Sequence, residues 1–177
     1  MSETDSGLTI RRGVAADAPE LARNMAQWFL AAYAHASDAA NTGAFVAANF
    51  DAARQAAELA DPSIVTLLAE SAGVMVGYAQ LRLARPAPDC VDKDASAEVG
   101  RFYFAPSQHG RGGAAALMQA LRAQARERGR YWLWLLVWQE APQAIRFYEK
   151  QGFEKVGTAV FLVGEDRKAD WVMCGPV

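Results

Sequence analysis

The sequence predicts a single α/β domain built on a mixed β-sheet flanked by helices. Three observations carry that reading. Alternating or short apolar runs bounded by turn residues read as strands, helical stripes fall between them, and the order is βααβββαβαββ. A strand ending at Phe104 leads through a glycine turn into a helix and then into a second apolar strand. Such a strand–helix–strand unit is parallel and right-handed, whereas short turns elsewhere make antiparallel hairpins. Finally, 177 residues with 52% apolar content suffice for one full core. No repeat, low-complexity tract or linker divides the chain.

Leu8 to Arg12 alternates and reads as the first strand. Asp17, with Glu20 three residues on, has the form of a capping box. Leu21, Met25, Trp28, Phe29 and Ala32 then form a helical stripe to about Ala34. Residues 35–50 are alanine-rich and weakly patterned, and read as loop plus a short helix near Phe45. Asp51 can cap a helix over Ala52 to Leu59, which Asp61-Pro62 ends. Ile64 to Ala69 and Val74 to Leu83 read as strands joined through Ser71-Ala72-Gly73. Residues 85–95, with two prolines, read as an exposed loop. Ala97 to Phe104 is the next strand. A helix follows the glycine turn to about Arg128, with Gly129 as its stop. Tyr131 to Val137 is a buried strand. Pro142 to Gln151 is a helix with proline at its first position and Gly152 just past its end. Phe153 to Val156, Thr158 to Leu162 and Ala169 to Met173 read as the closing strands.

The stretch from Phe102 to Leu117 organises the rest. Pro106 ends the strand, because proline has no N–H to give to a ladder. His109 to Ala114 is glycine-rich, and Ala114, Leu117, Met118, Leu121 and Ala125 recur at helical spacing. The first N–H groups of a helix lack intrahelical partners and the dipole favours negative charge there, so this junction is an anion site. Gly110, Gly112 and Gly113 remove Cβ atoms that would hold a phosphate away from the backbone.

Composition excludes several classes. A net charge of −2 gives no basic footprint for nucleic acid. The longest strongly apolar run, Tyr131 to Trp138, is too short to cross a bilayer, so no membrane partner is expected. Cys90 and Cys174 stand alone, without metal-ligand spacing, which suits a reducing cytoplasm. Ser2 to Gly7 reads as neither a signal nor a transit peptide. His35 and His109 show no metal or triad spacing, so no metal is expected.

Which phosphate ligand the turn takes depends on the motif. A P-loop is excluded, because no Lys-Ser/Thr follows the glycines. Gly110-Arg-Gly112-Gly-Ala-Ala115 does match a dinucleotide fingerprint. However, Ala105 to His109 separate it from its strand, and only about 60 residues follow it, too few for the sheet of such a domain. A third reading comes from resemblance. Phe104-Ala-Pro-Ser-Gln-His109-Gly-Arg-Gly112-Gly-Ala114 resembles the acetyl-CoA pyrophosphate motif of the GNAT superfamily of N-acetyltransferases, with His109 at the usual Gln/Arg position. Ala144-Ile-Arg-Phe-Tyr148-Glu-Lys-Gln-Gly152-Phe153 resembles the family's second motif, at the right interval. Trp134-Leu-Leu-Val-Trp138, Gly164 to Met173 and Ala57-Glu-Leu-Ala-Asp-Pro62 are similar to a bacterial branch that includes polyamine acetyltransferases. Two positions depart from the pattern. Ala141 stands where the family usually has a helix-capping Asn, and Leu136 where the branch tends to have glycine.

The resemblance implies a single N-acetyltransferase domain over 1–177 with a splayed sheet. Residues 1–62 would form the acceptor side and 98–156 the acetyl-CoA-binding core. Acetyl-CoA would enter between the strand ending at Phe104 and the strand Tyr131 to Val137. It would meet the turn at His109, Arg111, Gly112, Gly113, Ala114 and Ala115, and backbone groups of Phe102 and Phe104 would hold the pantetheine and polarise the thioester. Tyr148 occupies the place of the family's general acid, and its residue-level alternative is a half-buried core tyrosine. Glu98 occupies the place of a general base in some members. By period two it shares a face with Gly100, Phe102 and Phe104, and its alternative is a solvated or salt-bridged strand-end glutamate. A base helps because an amine of pKa near ~10 costs about 4 kcal/mol to deprotonate at pH 7. Cys90 reads as a free surface thiol with no histidine to activate it.

The implied activity is transfer of acetyl to a primary amine of a small molecule within a ternary complex. The rival is a non-catalytic acyl-CoA-binding or sensing module, which Ala141 keeps open. Residues 13–62 carry net −4 and residues 101–150 net +5. The basic half suits the polyanionic cofactor, and the acidic half ranks polyamines first among acceptors. The branch often forms homodimers.

Overall fold

The computed structural model describes residues 7–177. Seven strands form one sheet: β1 (Leu8–Arg12), β2 (Ile64–Ser71), β3 (Val74–Arg82), β4 (Ser96–Phe104), β5 (Trp132–Trp138), β6 (Glu154–Val163) and β7 (Asp166–Pro176). Their order across the sheet is β1-β2-β3-β4-β5-β7-β6. Every neighbouring pair is antiparallel except β4 with β5, which is parallel. The parallel pair is the one bridged by α4 (Gly113–Glu127), as a strand–helix–strand crossover requires. The other helices are α1 (Ala18–Tyr33), α2 (Ala39–Asn49), α3 (Ala52–Ala60) and α5 (Pro142–Lys150).

Two layers cover the sheet, and strand alternation divides them. Val65, Leu67, Ala79, Leu81, Leu133, Leu135 and Val137 face α4 and α5, where they bury Leu117, Met118, Leu121, Ile145 and Phe153. Leu68 and Tyr78 point the other way, onto Leu21, Met25, Trp28 and Phe29 of α1. Local chemistry sets most element ends. The Asp51 carboxylate accepts from Arg54 N–H at 2.8 Å, capping α3. Gly129 (φ 67°) and Gly152 (φ 83°) take the left-handed conformation that ends α4 and α5. The β2–β3 hairpin turns on Ala72 and Gly73, both at positive φ, because Ser71 pairs with Val74.

Several expectations are corrected. The short helix expected near Phe45 is a full helix, α2 over Ala39–Asn49, one more than the order βααβββαβαββ holds. Its stripe is faint because only Thr42 is fully buried, while Asp38 caps it by accepting from Asn41 N–H. Phe153–Val156 and Thr158–Leu162 are parts of one strand, β6, with a register shift between Lys155 and Gly157. The loop 85–95 is not wholly exposed, since Val91 packs on Trp134 and Val172. Asp17 does not form the capping box with Glu20. Both its oxygens accept from Arg11 at 2.8 Å, and one also accepts from Val14 N–H. A charged, forked donor outcompetes the helix N–H groups for that carboxylate. No helix among the described residues is long and apolar enough to cross a membrane.

Leu121 is fully buried between α4 and the sheet. Leu121→Ala is expected to lower unfolding free energy in urea by about 2–5 kcal/mol. Asp51→Ala, which removes one cap bond, is expected to cost about 1 kcal/mol. Equal losses would show that α4 is not part of the main core.

Candidate active site

The site is made by a failure of pairing. β4 and β5 are hydrogen-bonded only through Ser96↔Trp132, Ala97↔Leu133 and Glu98↔Trp134. Beyond that point β5 continues against β7 to Trp138, and β4 continues against β3 to Phe104. The two strands separate, and the facing edges of 99–104 and 135–138 keep backbone donors and acceptors with no strand partner. The cause lies in β4. Opposite β3, Val99 pairs with Leu81 and Arg101 with Gln80, so Gly100 is an extra residue and the strand bulges.

That bulge overturns one expectation. Glu98 does not share a face with Phe102 and Phe104. The extra residue reverses the alternation, so Glu98 lines a cleft with Arg101 and Tyr103 on the α1–α3 side. Phe102 and Phe104 pack instead into the α4–α5 layer.

At the far end of β4 the glycine turn has two distinct devices. Gly110 (φ 78°) and Gly112 (φ 81°) are left-handed, with open space where a Cβ would stand. Gly113 is different: a Cβ there would come within 2.9 Å of the Phe104 ring. Its lack of a side chain lets α4 pack on β4. The first helical bond of α4 is Ala116 N–H to Gly112 C=O, so the N–H groups of Gly113, Ala114 and Ala115 have no helical acceptor. Arg111 is exposed beside them. His109 turns inward, with Nε2 3.2 Å from the Phe104 carbonyl, and ties the turn to the strand end.

Tyr148 lies on the α4–α5 side, buried, with its ring against Phe102, Phe147 and Phe153 at 5.3–6.2 Å between centroids. Burial raises its phenol well above the ordinary tyrosine range, and Tyr103 adds to that. Ala141 at the start of α5 makes no side-chain cap.

On the opposite face the separation opens into a cleft of about 580 Å³. One wall is aromatic. Phe29 stacks on Phe45 and meets Phe50 edge-on, and Tyr33 leans on Trp138 and Phe161. The other wall carries charge. Arg101 donates to Glu58 at 2.6 Å and to Gln80 at 3.0 Å. Glu98 is buried with Oε2 unpartnered. Burial raises its carboxyl, and Arg82, Arg85 and Arg101 oppose that rise. Arg54, Arg82, Arg85 and Arg101 line the cleft against Glu58, Glu98 and Asp170.

The structure therefore brings Glu98 to the cleft, His109 to Ala115 to the mouth of the gap, and Tyr148 to the layer behind it. Sequence reasoning missed Asp170. It is only 3% exposed, its Oδ1 has no partner, and burial alone pushes its carboxyl up to about 7. The available signal was a carboxylate on the same strand face as the buried Val172 and Cys174. Among the described residues no cluster of His, Cys, Asp and Glu could hold a metal ion.

The raised Asp170 carboxyl has a signed consequence for stability. Its unfolded value is 3.8, so between that and about 7 the folded chain holds the extra proton. Its contribution is fully present below pH 3.8 and is lost as pH rises through about 7. Asp170→Asn is expected to gain stability over wild type at pH 8, on the order of 3–4 kcal/mol, and little at pH 4. Urea titrations of both proteins at the two pH values measure it.

The chain is similar to known proteins along most of its length. An N-acetyltransferase of Mycobacterium tuberculosis, whose function is uncharacterised, is 38% identical over 157 residues, covering 89% of this chain and 96% of the relative. A PaiA N-acetyltransferase from Thermoplasma acidophilum, solved with coenzyme A, superposes with a TM-score of 0.80 at 17% identity, over the whole of both chains. A nourseothricin acetyltransferase matches at 28% identity and a TM-score of 0.57, over 66% of each chain. The model of the acetyltransferase (GNAT) family matches residues 23–153, and the chain belongs to that family.

Proposed function

We propose that the protein transfers the acetyl group of acetyl-CoA to a primary amine of a small molecule, by direct attack in a ternary complex. The observation that carries this is the open wedge between β4 and β5, with an uncapped helix N-terminus at its mouth and a charged cleft on its far face. Family membership and the coenzyme A held by the Thermoplasma neighbour support an acyl-CoA donor. The N–H groups of Gly113, Ala114 and Ala115 would receive the pyrophosphate, with Arg111 available to a phosphate and Gly112 leaving room. His109 would hold the turn in shape. The unpaired edge of β4 around Phe102 and Phe104 would pair with the pantetheine and polarise the thioester carbonyl. Tyr148 would give its proton to the departing thiolate, since a phenol kept neutral by burial is a donor throughout the neutral range. Glu98 lines the cleft that would take the acceptor, and Leu136 in the same wall would narrow the space for the acyl group.

The acceptor ranking changes with the structure in view. Most of the N-terminal acids do not reach the cleft. Asp17 pairs with Arg11, Asp38 and Asp51 cap helices, and Asp61 holds Ser63. Only Glu58 lines the cleft, and Arg101 neutralises it. The acidity that favoured polyamines is therefore local, and amines bearing their own anion fit the arginine wall equally well. A sensing module without turnover is the second reading, favoured by the missing cap at Ala141.

Gly112→Asp is expected to abolish coenzyme binding, because it strains a left-handed residue and sets a negative charge at the helix N-terminus. Acetyl-CoA at 100 times its Kd should stabilise wild type by ~2.7 kcal/mol and leave the variant unmoved. Tyr148→Phe keeps the ring packing, and is expected to lower kcat by roughly 10²–10⁴ with donor affinity unchanged. Thiol release across amines that includes spermidine and an amino acid, at low and high salt, separates enzyme from sensor and ranks the acceptors. Binding of acetyl-CoA without turnover on any amine would favour the sensor.

A further inference from the structure

Two carboxylates in the cleft are more than nine-tenths buried and each has an unpartnered oxygen, Glu98 Oε2 and Asp170 Oδ1. Their surroundings differ in sign. Glu98 stands among Arg82, Arg85 and Arg101, so a cationic amine arriving there meets three guanidinium groups. Asp170 has no cation against it. From α1 it faces the Tyr33 phenol, which itself leans on Trp138 at 5.8 Å. From β4 it faces the Tyr103 phenol, and from β6 the ring of Phe161 lines the same cleft. Just past the end of β5, Gln139 reaches only the Asp170 backbone carbonyl, at 3.5 Å, and His35 is held beside Trp138. On its own strand, Lys168 is turned away, donating to the Ala36 carbonyl and lying near Asp166 and the Trp138 ring.

A buried carboxylate without a cation is a costly arrangement, and a bound cation is what relieves it. We propose that Asp170 is the group that receives the ammonium of the acceptor and takes its proton, while Glu98 belongs to the arginine-lined wall. The assignment rests on the acetyl-transfer reading above. It explains the aromatic lining, because Tyr33, Tyr103 and Phe161, which line the cleft with Asp170, would flank the cation and keep water from the carboxylate. A base that titrates near neutrality is also matched to its task.

The proton and electron pairs balance as follows. Asp170 carboxylate takes one proton from R–NH3⁺ and frees the nitrogen lone pair. That pair forms the N–C bond to the thioester carbonyl carbon. The C–S bond then breaks with its electrons on sulfur, which takes the phenolic proton of Tyr148. The nitrogen loses a second proton, which restores the tyrosine through solvent, and Asp170 returns its own proton to bulk water. The sum is ammonium plus thioester giving amide, thiol and one released proton.

The experiment measures kcat and KM for spermidine, tyramine and glycinamide across about pH 5.5–9. Wild type, Asp170→Asn and Glu98→Gln are compared, with the thermal shift on coenzyme A as a check that each is folded. The expected result is a wild-type kcat that rises through one ionisation near neutrality. Asp170→Asn should lose that ionisation, lower kcat by roughly 10²–10³ and raise KM, with an unchanged coenzyme A shift. Glu98→Gln should keep the ionisation. The assignment alone falls if Asp170→Asn stays within about threefold of wild type, or if Glu98→Gln is the variant that loses the ionisation. Wild type that binds coenzyme A but neither acetylates nor is stabilised at pH 8 by any of the three amines would overturn both the assignment and the acetyl-transfer reading.

Discussion

Everything functional in this molecule depends on β4 and β5 parting after three paired residues. A parallel pair normally continues its ladder as far as both strands run, because each unpaired N–H and C=O loses a bond. Here the bulge at Gly100 bends β4 away while β5 stays paired with β7 along its length. The cost is a row of unsatisfied backbone groups on two facing edges. That cost is tolerable only if water or an extended ligand supplies the partners. One irregular residue thus opens the gap between the strands, turns Glu98 to the cleft and sends Phe102 and Phe104 to the other face.

The same separation lets two chemically unlike surfaces approach one another. On one side lie a helix N-terminus and Tyr148, embedded in the aliphatic layer beneath α4 and α5. On the other lies a cleft with an aromatic wall, which carries Asp170, and a wall of four arginines with Glu58 and Glu98. Low dielectric raises the carboxyl of Asp170 and the phenols of Tyr33, Tyr103 and Tyr148 alike, since in each case burial disfavours the anion. Such groups hold protons where solvent-exposed ones would exchange them freely, which suits the proposed removal of a proton from an amine and supply of one to a thiolate.

Charge counted along the chain misled because ionisable residues are spent locally. The acidic N-terminal half reads as a field for polycations, yet its aspartates cap α2 and α3 or pair with Arg11. Arg101, counted with the basic half, turns to the cleft on the α1–α3 side and binds Glu58. A hydrogen bond to a backbone N–H fixes a carboxylate away from the cleft, and a guanidinium offsets its charge, while screening limits the reach of what remains.

The sequence by itself determined most of the strand and helix succession, the glycine turn, the parallel unit and the family. Those rest on interactions between residues a few positions apart: proline stopping a strand, glycines at positive φ, and apolar stripes with a period. The second motif was legible for the same reason, as one helical turn from Ala144 to Tyr148 with Gly152 ending it. Only the tertiary structure decided which face each strand residue takes after Gly100, because a glycine inside a strand marks a bulge as one option and the partner strand decides whether it forms. It also decided that Asp170 joins Tyr33 and Tyr103, residues from three distant elements. Their meeting depends on the order β4-β5-β7 and on α1 crossing that face, and burial, which sets their chemistry, exists only once the layers have packed.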